Sequence, residues 1–522
     1  MLDHTSDRIR RSHRLPTVVA LSLGLGIASL AARAEVRLHP LFADNMVLQQ
    51  GKPVPVWGWA DAGEEVTVSF LKQSAATRAG ADGKWRVHLK SLKAGGPFTF
   101  KVTGENEIVL TNVLVGEVWI CSGQSNMEWP LSRSYESADD IANSTNPQLR
   151  LFQVPKLKAD EPVAEVKATW QLSGPDTVPG FSAVGYYFGR ALQAARQVPV
   201  GMIHTSWGGS PAEVWMSQQA LEASAEYRSD IVGKYETDKA RYEEAVAKWT
   251  DAKAKAEAEG QTFNQRRPGA PWKPTELYNG MIAPLLPCAI KGAIWYQGES
   301  NAGRAWQYRR LFADMIQNWR RDFGQGNFPF LAVQLAPWDK NRKRSLEEIT
   351  AEPVDSDWPE LREAQDIAAR TLPNVGIAVI TDVGDKDDIH PTRKIPVGER
   401  LAKAACAIAY GGKETGLSPT YRKVAFEDGK AEVSFNHVKG ALKCEGDKLT
   451  GFAIAGADRK FVWANAKIDG KEVEVWSDAV PEPVAVRFGW ADYPVVNLFS
   501  AQGLPVSPFR TDDWPMVTNP ND

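Results

Sequence analysis

The stretch GEVWICSGQSNM, residues 116–127, indicates the fold class of the chain. Its first half belongs to an apolar run, 113–121, and its second half is a small polar loop that contains Ser125. An apolar run without polar alternation is typical of a strand that is buried on both faces of a parallel sheet. Similar runs, separated by helical segments, occur at 200–204, 289–296, 330–335 and 375–380. The pattern predicts a doubly wound α/β domain over residues 111–412.

Both flanks of this domain have the pattern of β structure. Residues 35–110 contain short runs of β-branched and aromatic residues separated by glycine and proline, which predicts a small antiparallel sandwich. Residues 413–522 show a similar pattern and are predicted to form a C-terminal β-rich region. The sequence leaves open whether the two β regions form one module.

Residues 217–272 interrupt the α/β pattern. Residues 217–260 of this stretch are rich in Ala, Glu and Lys, and apolar residues such as Ile231, Tyr242 and Trp249 recur at helical spacing. This predicts a long amphipathic helix or a helical hairpin inserted into the α/β domain. We expect the insertion to have a structural role. A role in shaping the substrate cleft is left open.

The N-terminus resembles an export signal. Four arginines between residues 8 and 14 precede the mostly apolar run 18–30, and the small-x-small sequence Ala32-Arg33-Ala34 follows. This pattern predicts a signal peptide, residues 1–34, removed before Glu35. A membrane anchor is the alternative, but the run is short for a spanning helix. The protein is expected to be periplasmic, or secreted, with no membrane contact after cleavage.

Composition and charge exclude several classes of protein. The 522 residues include 61 Lys and Arg against 64 Asp and Glu, so the basic excess of a nucleic-acid binder is missing. Hydrophobic residues make up 43%, as in ordinary globular chains. Four cysteines are too few for a disulfide-built scaffold. The oligomeric state is left open, as is any pairing among Cys121, Cys288, Cys406 and Cys444.

Polar loops follow the predicted strands, and ligands of open α/β sheets bind at the carboxyl ends of the strands. The first loop presents Ser125, but Met127 stands where G-x-S-x-G requires glycine, which argues against an α/β-hydrolase nucleophile elbow. A helix cap is the alternative role for this serine. The second loop, HTSWGGS at 204–210, contains Gly208 and Gly209. Paired glycines either let backbone N–H groups approach a ligand or form a tight turn.

The third loop is WYQGESN, residues 295–301, in which Gln297, Glu299 and Asn301 follow an apolar strand. A polar cluster at that position is either satisfied by neighbours or functional. The side-chain amide of Asn301 can donate a hydrogen bond to a developing oxyanion.

The fourth loop is DKDDIHP, residues 385–391. A neutral His390 can take a proton there, with Asp387 holding the other ring nitrogen. The alternatives are a surface loop and a cation site formed by the aspartates and His390. The sequence offers no further ligand cluster for such a cation, so we expect no metal.

In this order the four motifs resemble the SGNH-hydrolase group of GDSL-like esterases, and specifically the sialate O-acetylesterase-like carbohydrate esterases. The motifs GQSNM, WGG, QGESN and D-x-x-H-P lie at 123–127, 207–209, 297–301 and 387–391. Segments 46–49 and 56–60 match as well, so the resemblance covers most of residues 36–400. It implies a three-layer α/β/α SGNH-hydrolase domain flanked by all-β accessory regions.

The resemblance also implies a serine esterase that removes O-acetyl groups from carbohydrates without a metal or other cofactor. Ser125 would be the nucleophile, His390 the base and Asp387 its partner, while Glu299 either orients its neighbours or replaces Asp387. The oxyanion hole would consist of the N–H groups of Ser125 and Gly209 and the Asn301 side chain, supported by Gly208, Gln297 and Glu299.

The expected substrate is an acetylated plant hemicellulose such as xyloglucan, or its oligosaccharides, and a sialate O-acetylesterase is the alternative. Two other classes stay open. One is a non-catalytic carbohydrate-binding protein on the same fold. The other is a lipid or thioester hydrolase, which would need a long apolar acyl pocket that the polar, Trp-rich loops do not suggest.

Overall fold

The computed structural model describes residues 35–341, 343–412 and 416–520. The predicted export segment, residues 1–34, lies outside the described residues. Within the described part of the chain, no helix combines the length and the apolar character needed to cross a bilayer.

The fold is mixed α/β and is organised around the strand Glu107–Gly123. The C-terminal half of this strand pairs in parallel with Val200–Ser206 on one side and Gly292–Tyr296 on the other. Within the α/β part of the sheet, neighbouring strands run parallel except Trp170–Ser173 and Asn146–Gln153, the antiparallel pair at one edge. In spatial order the strands are Trp170–Ser173, Asn146–Gln153, Val200–Ser206, Glu107–Gly123, Gly292–Tyr296, Phe330–Val333 and Val375–Ala378.

The central strand contributes to two hydrophobic cores, because successive side chains of a strand point to opposite faces of the sheet. Val118 and Ile120 belong to one core, together with residues of helix Ala305–Phe323. Trp119 and Cys121 belong to the other, together with residues of helix Ala183–Arg196. The α-helices are Ser125–Glu128, Ser137–Ala142, Ala183–Arg196, Gln218–Glu222, Ala225–Tyr227, Lys234–Ala258, Ala305–Phe323, Leu346–Ile349, Asp357–Thr371 and Ile395–Ala409.

The N-terminal β region is continuous with the parallel sheet. Strand Gly95–Thr103 pairs antiparallel with the first half of Glu107–Gly123, so the expected boundary at residue 110 lies inside one strand. The strand alternates between exposed and half-buried residues as far as Asn112 and is fully buried from Val113. The change of pattern at that point therefore marks a change of burial and not the end of an element. The preceding strands are Arg37–Leu38, Val47–Gln49, Val54–Trp59, Glu65–Phe70, Gln73–Arg78 and Lys84–Leu89.

The region 217–272 contains the long helix Lys234–Ala258, none of whose residues is fully buried. The segment that follows the helix packs against one residue of the apolar face expected from the spacing, Trp249. The Trp249 ring packs on Phe263 at 5.6 Å, and its Nε1 donates to the carbonyl oxygen of Gln265 at 2.9 Å. At the end of this region, Trp272 packs edge-on against Trp207 at 5.7 Å.

The C-terminal part is built of antiparallel strands around its own hydrophobic core. It contacts helix Asp357–Thr371, because Arg510 Nε donates to Glu363 at 2.9 Å and the Val517 N–H donates to Glu360 at 2.7 Å. The strands are Thr420–Glu427, Lys430–Asn436, Lys443–Cys444, Phe452–Ala455, Val462–Trp463, Asn465–Asp469, Glu472–Trp476, Ala485–Phe488, Leu498–Phe499 and Phe509–Arg510.

Candidate active site

Ser125 lies at the carboxyl end of the central strand, as the first residue of the short helix Ser125–Glu128. The turn before it depends on Gly123, whose φ is +137°. A Cβ atom at Gly123 would lie 2.1 Å from the carbonyl oxygen of Tyr296, so any other residue would push the two neighbouring strands apart. The sequence therefore makes a sharp strand-to-helix turn that places Ser125 at the edge of the sheet.

The structure brings Ser125 and His390 together, with Ser125 Oγ 2.8 Å from His390 Nε2. The imidazole is stacked on Trp129, with the two ring centroids 5.6 Å apart. Burial lowers the pKa of His390 below its ordinary value, and the negative charge of Asp388 opposes that shift. A lowered pKa favours the neutral imidazole, which is the form that can accept a proton from the serine.

The expected contact between His390 and Asp387 is not present. Asp388 Oδ1 lies 3.4 Å from His390 Nδ1 and also accepts the backbone N–H of His390 at 2.9 Å. Asp387 instead pairs with Lys386 at 2.6 Å, and its side chain is 59% exposed. The reason is a tight turn in which Asp385 Oδ1 accepts the N–H groups of Asp387 and Asp388, which turns Asp387 outward. Asp388 is therefore the carboxylate beside the ring.

The acidic loop does not form a metal centre in the described residues. Across residues 35–341, 343–412 and 416–520, no group of three or more His, Cys, Asp or Glu side chains is arranged to hold a metal ion. The carboxylate of Asp385 accepts backbone N–H groups, and Asp388 faces His390. The geometry thus offers no support for the alternative of a cation in this loop.

A buried polar network lies beside the Ser125–His390 pair and is centred on Asn126. Its Nδ2 donates to Glu299 Oε1 at 2.7 Å and to the carbonyl oxygen of Ile389 at 3.0 Å, while its Oδ1 accepts Lys394 Nζ at 2.6 Å. Asn126 adjoins Ser125 in the sequence and Ile389 adjoins His390. The side chain therefore connects the loop of the serine with the loop of the histidine.

Burial shifts the ionisation of both charged members of this network. Burial lowers the pKa of Lys394 to about 7, although the charges of Glu299 and Asp388 oppose the shift. Burial raises the pKa of Glu299 above its ordinary value. Glu299 contacts Asn126 and not His390, so the structure favours the orienting role for Glu299 over the role of histidine partner.

Asn301 and Gln297 belong to a separate buried network, in which the Asn301 amide expected to serve as an oxyanion donor is already hydrogen-bonded. The Asn301 Nδ2 donates to Glu213 at 2.9 Å, and its Oδ1 accepts from Gln297 Nε2 at 2.6 Å and from the Ala212 N–H at 2.9 Å. Gln297 in turn accepts the hydroxyl of Tyr308 at 2.9 Å. Both side chains are engaged in holding the loops together, and neither lines the cavity at Ser125.

The two glycines of the WGG motif differ in their surroundings. A Cβ atom on Gly208 would meet Ser125 Cβ at 3.3 Å, so Gly208 lies directly against the serine. Its N–H donates to Glu128 Oε2 at 2.6 Å, and Glu128 is also paired with Lys156 at 2.5 Å. Gly209 has a φ of +76°, and its N–H has no acceptor within the part of the chain that the structure describes.

Ser125 and His390 open into a cavity of about 510 Å³. One side is aromatic and cationic, because Arg133 lies 4.0 Å above the Trp129 ring. The cavity is lined by Ser125, Glu128, Trp129, Pro130, Arg133, Gln153, Lys156, Gly180, His204, Ser206 and His390. It has the size of a small-ligand site with a nucleophile–base pair at one end.

Several of these residues were not identified from the sequence. Asn126 lies inside the serine motif and Glu128 directly follows it, so their position close to Ser125 was a signal that could have been used. Lys394 lies four residues after His390, but nothing in its sequence neighbours indicates that its ammonium group is buried.

Comparisons with known proteins match the chain to carbohydrate esterases. The family model described as carbohydrate esterase, sialic acid-specific acetylesterase, matches residues 115–407. The sialate O-acetylesterase of Mus musculus is 28% identical over 502 residues, covering 87% of this chain and 89% of the relative. The human sialate O-acetylesterase is 27% identical over 528 residues, covering 91% of this chain and 93% of the relative.

A crystal structure is similar over nearly the whole chain. It is that of a carbohydrate acetylesterase from Xanthomonas citri, which is 40% identical to this chain, with a TM-score of 0.78. The match covers 92% of this chain and all of that one. The matched region of the family model includes all four motif loops of the site.

Proposed function

The chain belongs to the carbohydrate esterase family of sialic acid-specific acetylesterases, and on that premise we propose that Ser125 is its nucleophile. The resemblance inferred from the four motifs is thereby confirmed, and the protein is a carboxylic ester hydrolase that removes O-acetyl groups from carbohydrates. The observation that carries the assignment of the nucleophile is the 2.8 Å contact between Ser125 Oγ and His390 Nε2 inside the cavity.

The chemistry follows the serine-hydrolase pattern. Ser125 Oγ attacks the acetyl carbonyl carbon while His390 Nε2 takes the hydroxyl proton, and Asp388 stabilises the imidazolium that results. His390 then returns the proton to the sugar oxygen as the ester bond breaks, which leaves an acetyl group on Ser125. Water, deprotonated by His390, attacks this acetyl-enzyme and releases acetate and a regenerated serine.

The negative oxygen of the tetrahedral intermediate needs donors that are already in place. We assign this role to the backbone N–H groups of Ser125 and Gly209. The support for Gly209 is its turn conformation and its N–H, which finds no acceptor in the described residues. The Gly208 N–H already donates to the Glu128 carboxylate, so it is not assigned to the oxyanion hole.

The test is acetate release from an acetylated oligosaccharide by the Ser125→Ala variant. We expect activity below a few per cent of wild type in a protein with unchanged circular dichroism. Ser132→Ala is the matched control, because Ser132 is exposed and does not line the cavity. Undiminished acetate release by Ser125→Ala would remove the assignment of the nucleophile.

For the substrate we propose an acetylated plant hemicellulose such as xyloglucan, or its oligosaccharides. The identity is higher to a bacterial carbohydrate acetylesterase, whose name is not restricted to sialate, than to the mammalian sialate O-acetylesterases. The proposal is also supported by the Glu128 carboxylate in the cavity, which disfavours an acidic sugar placed close to Ser125.

A sialate ester is the second candidate, favoured by Arg133, which lines the same cavity and carries a guanidinium group suited to a sugar carboxylate. Mass spectrometry of acetyl loss from acetylated xyloglucan, xylan, mannan and O-acetyl sialic acid separates the two. We expect the highest kcat/KM on xyloglucan. A higher kcat/KM on the sialate would replace the first candidate with the second.

We further propose that residues 1–34 direct export, to the periplasm in a Gram-negative host, and that the α/β part is a three-layer hydrolase domain with β flanks. The support for the layers is the pair of hydrophobic cores to which the central strand contributes. N-terminal sequencing of the protein from a fractionated expression host tests export, with Glu35 as the expected first residue.

A further inference from the structure

One side of the cavity carries a chain of hydrogen bonds that the mechanism above does not use. Gln153 Oε1 lies 2.7 Å from His204 Nδ1, and His204 Nε2 lies 2.5 Å from Ser206 Oγ. All three residues line the cavity that contains Ser125 and His390. A second serine–histidine contact therefore faces the same space as the reacting pair.

The proton positions along this chain follow from its first member. Gln153 presents its carbonyl oxygen to the ring while its Nε2 faces the carbonyl oxygen of Val154 at 3.5 Å, and this orientation assigns the proton to His204 Nδ1. His204 Nε2 is then an acceptor, and the Ser206 hydroxyl donates to it. Burial lowers the pKa of His204 to about 3, and the charge of Lys156 lowers it further, so the ring stays neutral.

The Ser206 hydroxyl can therefore only accept a hydrogen bond from a ligand. Its single proton is committed to His204, and the residue, which is 2% exposed, lines the cavity. The Glu128 carboxylate is also an acceptor that faces the cavity, held in place by the Gly208 N–H and by Lys156. Neither group can donate a hydrogen bond to a ligand while these contacts persist.

We propose that Ser206 and Glu128 form a subsite that binds the free hydroxyl groups of the sugar next to the acetyl ester. A sugar ring with unesterified hydroxyls supplies donors for the remaining lone pairs of Ser206 and Glu128, whereas a simple alkyl or aryl acetate does not. Gln153 and His204 are positioning residues, because they fix the proton of Ser206. The subsite rests on the proposed function and makes the enzyme select partly acetylated sugars over simple acetates.

The test compares kcat/KM on an acetylated oligosaccharide with kcat/KM on 4-nitrophenyl acetate, which has no sugar hydroxyls. We expect the ratio of the two constants to fall about 10-fold in Ser206→Ala and about 10- to 100-fold in Glu128→Gln, with the loss mainly in KM for the sugar. Ser132→Ala and Glu136→Gln are matched controls on exposed residues outside the cavity.

Acetylated sugars that lack single hydroxyl groups test the subsite without any substitution. Wild type should lose about 10-fold in kcat/KM when the sugar lacks the hydroxyl that faces Ser206 or Glu128. In the variant at that residue, removal of the same hydroxyl should cause no further loss of kcat/KM, because the contact is already missing. Equal losses on sugar and aryl acetates, or no penalty for any deoxy sugar, would overturn the subsite. Failure of wild type on every acetylated sugar would instead overturn the proposed function.

Discussion

Substituting Asp388 by Asn tests the geometry of the histidine loop. The Asp388 carboxylate lies 3.4 Å from His390 Nδ1, where it can stabilise the positive ring formed when Ser125 gives up its proton. The amide in Asp388→Asn keeps the size of the side chain and removes its charge. We therefore expect a lower kcat with little change in KM, because the ring is charged only during reaction.

The magnitude follows from distance and exposure. Two unit charges 3.4 Å apart interact by about 5 kcal/mol at an effective dielectric constant of ~20 and by about 1 kcal/mol in a water-like medium. The Asp388 side chain is 57% exposed, so solvent screening places the value near the lower limit. We expect kcat to fall by up to about 10-fold, well below the ~10⁴-fold effect of a buried triad aspartate.

The assay is the pH dependence of acetate release by Asp388→Asn and by Asp387→Asn. The charge of Asp388 raises the pKa of His390, so its removal should move the acidic limb of the profile to lower pH as well as reduce the plateau. Asp387→Asn is the matched control, because its carboxylate pairs with Lys386. A collapse of kcat in Asp387→Asn, with Asp388→Asn close to wild type, would refute the assignment.

Three further outcomes are expected. In wild type, activity should rise with pH through a midpoint below 6.5, because burial lowers the pKa of His390 and the neutral ring is the active base; a midpoint above 7 in kcat/KM would contradict this. Asn301→Ala should lower the free energy of unfolding by about 3 kcal/mol, measured by urea denaturation, since it leaves buried partners unpaired; a large loss of kcat at unchanged stability would restore its oxyanion role. Acetate release should survive EDTA, since the proposed mechanism needs no metal-activated water; a loss that added Zn²⁺ or Ca²⁺ reverses would contradict it.

The sequence was informative wherever a local pattern determines the structure. The apolar run that ends at Cys121 predicts a buried strand, and Ser125 follows it because Gly123 permits the turn. The four motif loops could be placed at strand ends for the same reason. The family resemblance added the pairing of Ser125 with His390, which are 265 positions apart and which no local pattern connects.

The parts that could not be predicted depend on side-chain direction within loops. Asp387 and Asp388 are neighbours with the same chemistry, and only the turn capped by Asp385 decides which of them faces His390. Asn301 was a reasonable oxyanion donor by its position, but Glu213, from a distant loop, takes its amide. A local turn decided the first case, and a contact between residues 88 positions apart decided the second.

The central claim is that Ser125 forms the acetyl-enzyme, and covalent trapping tests it most directly. Wild type is incubated with a serine-directed fluorophosphonate, digested and mapped by mass spectrometry, in parallel with assays of acetate release. We predict one modified residue, Ser125, with loss of activity in proportion to labelling and protection by an acetylated oligosaccharide. Labelling of a different residue that tracks the loss of activity, or full activity in protein completely labelled at Ser125, would contradict the claim.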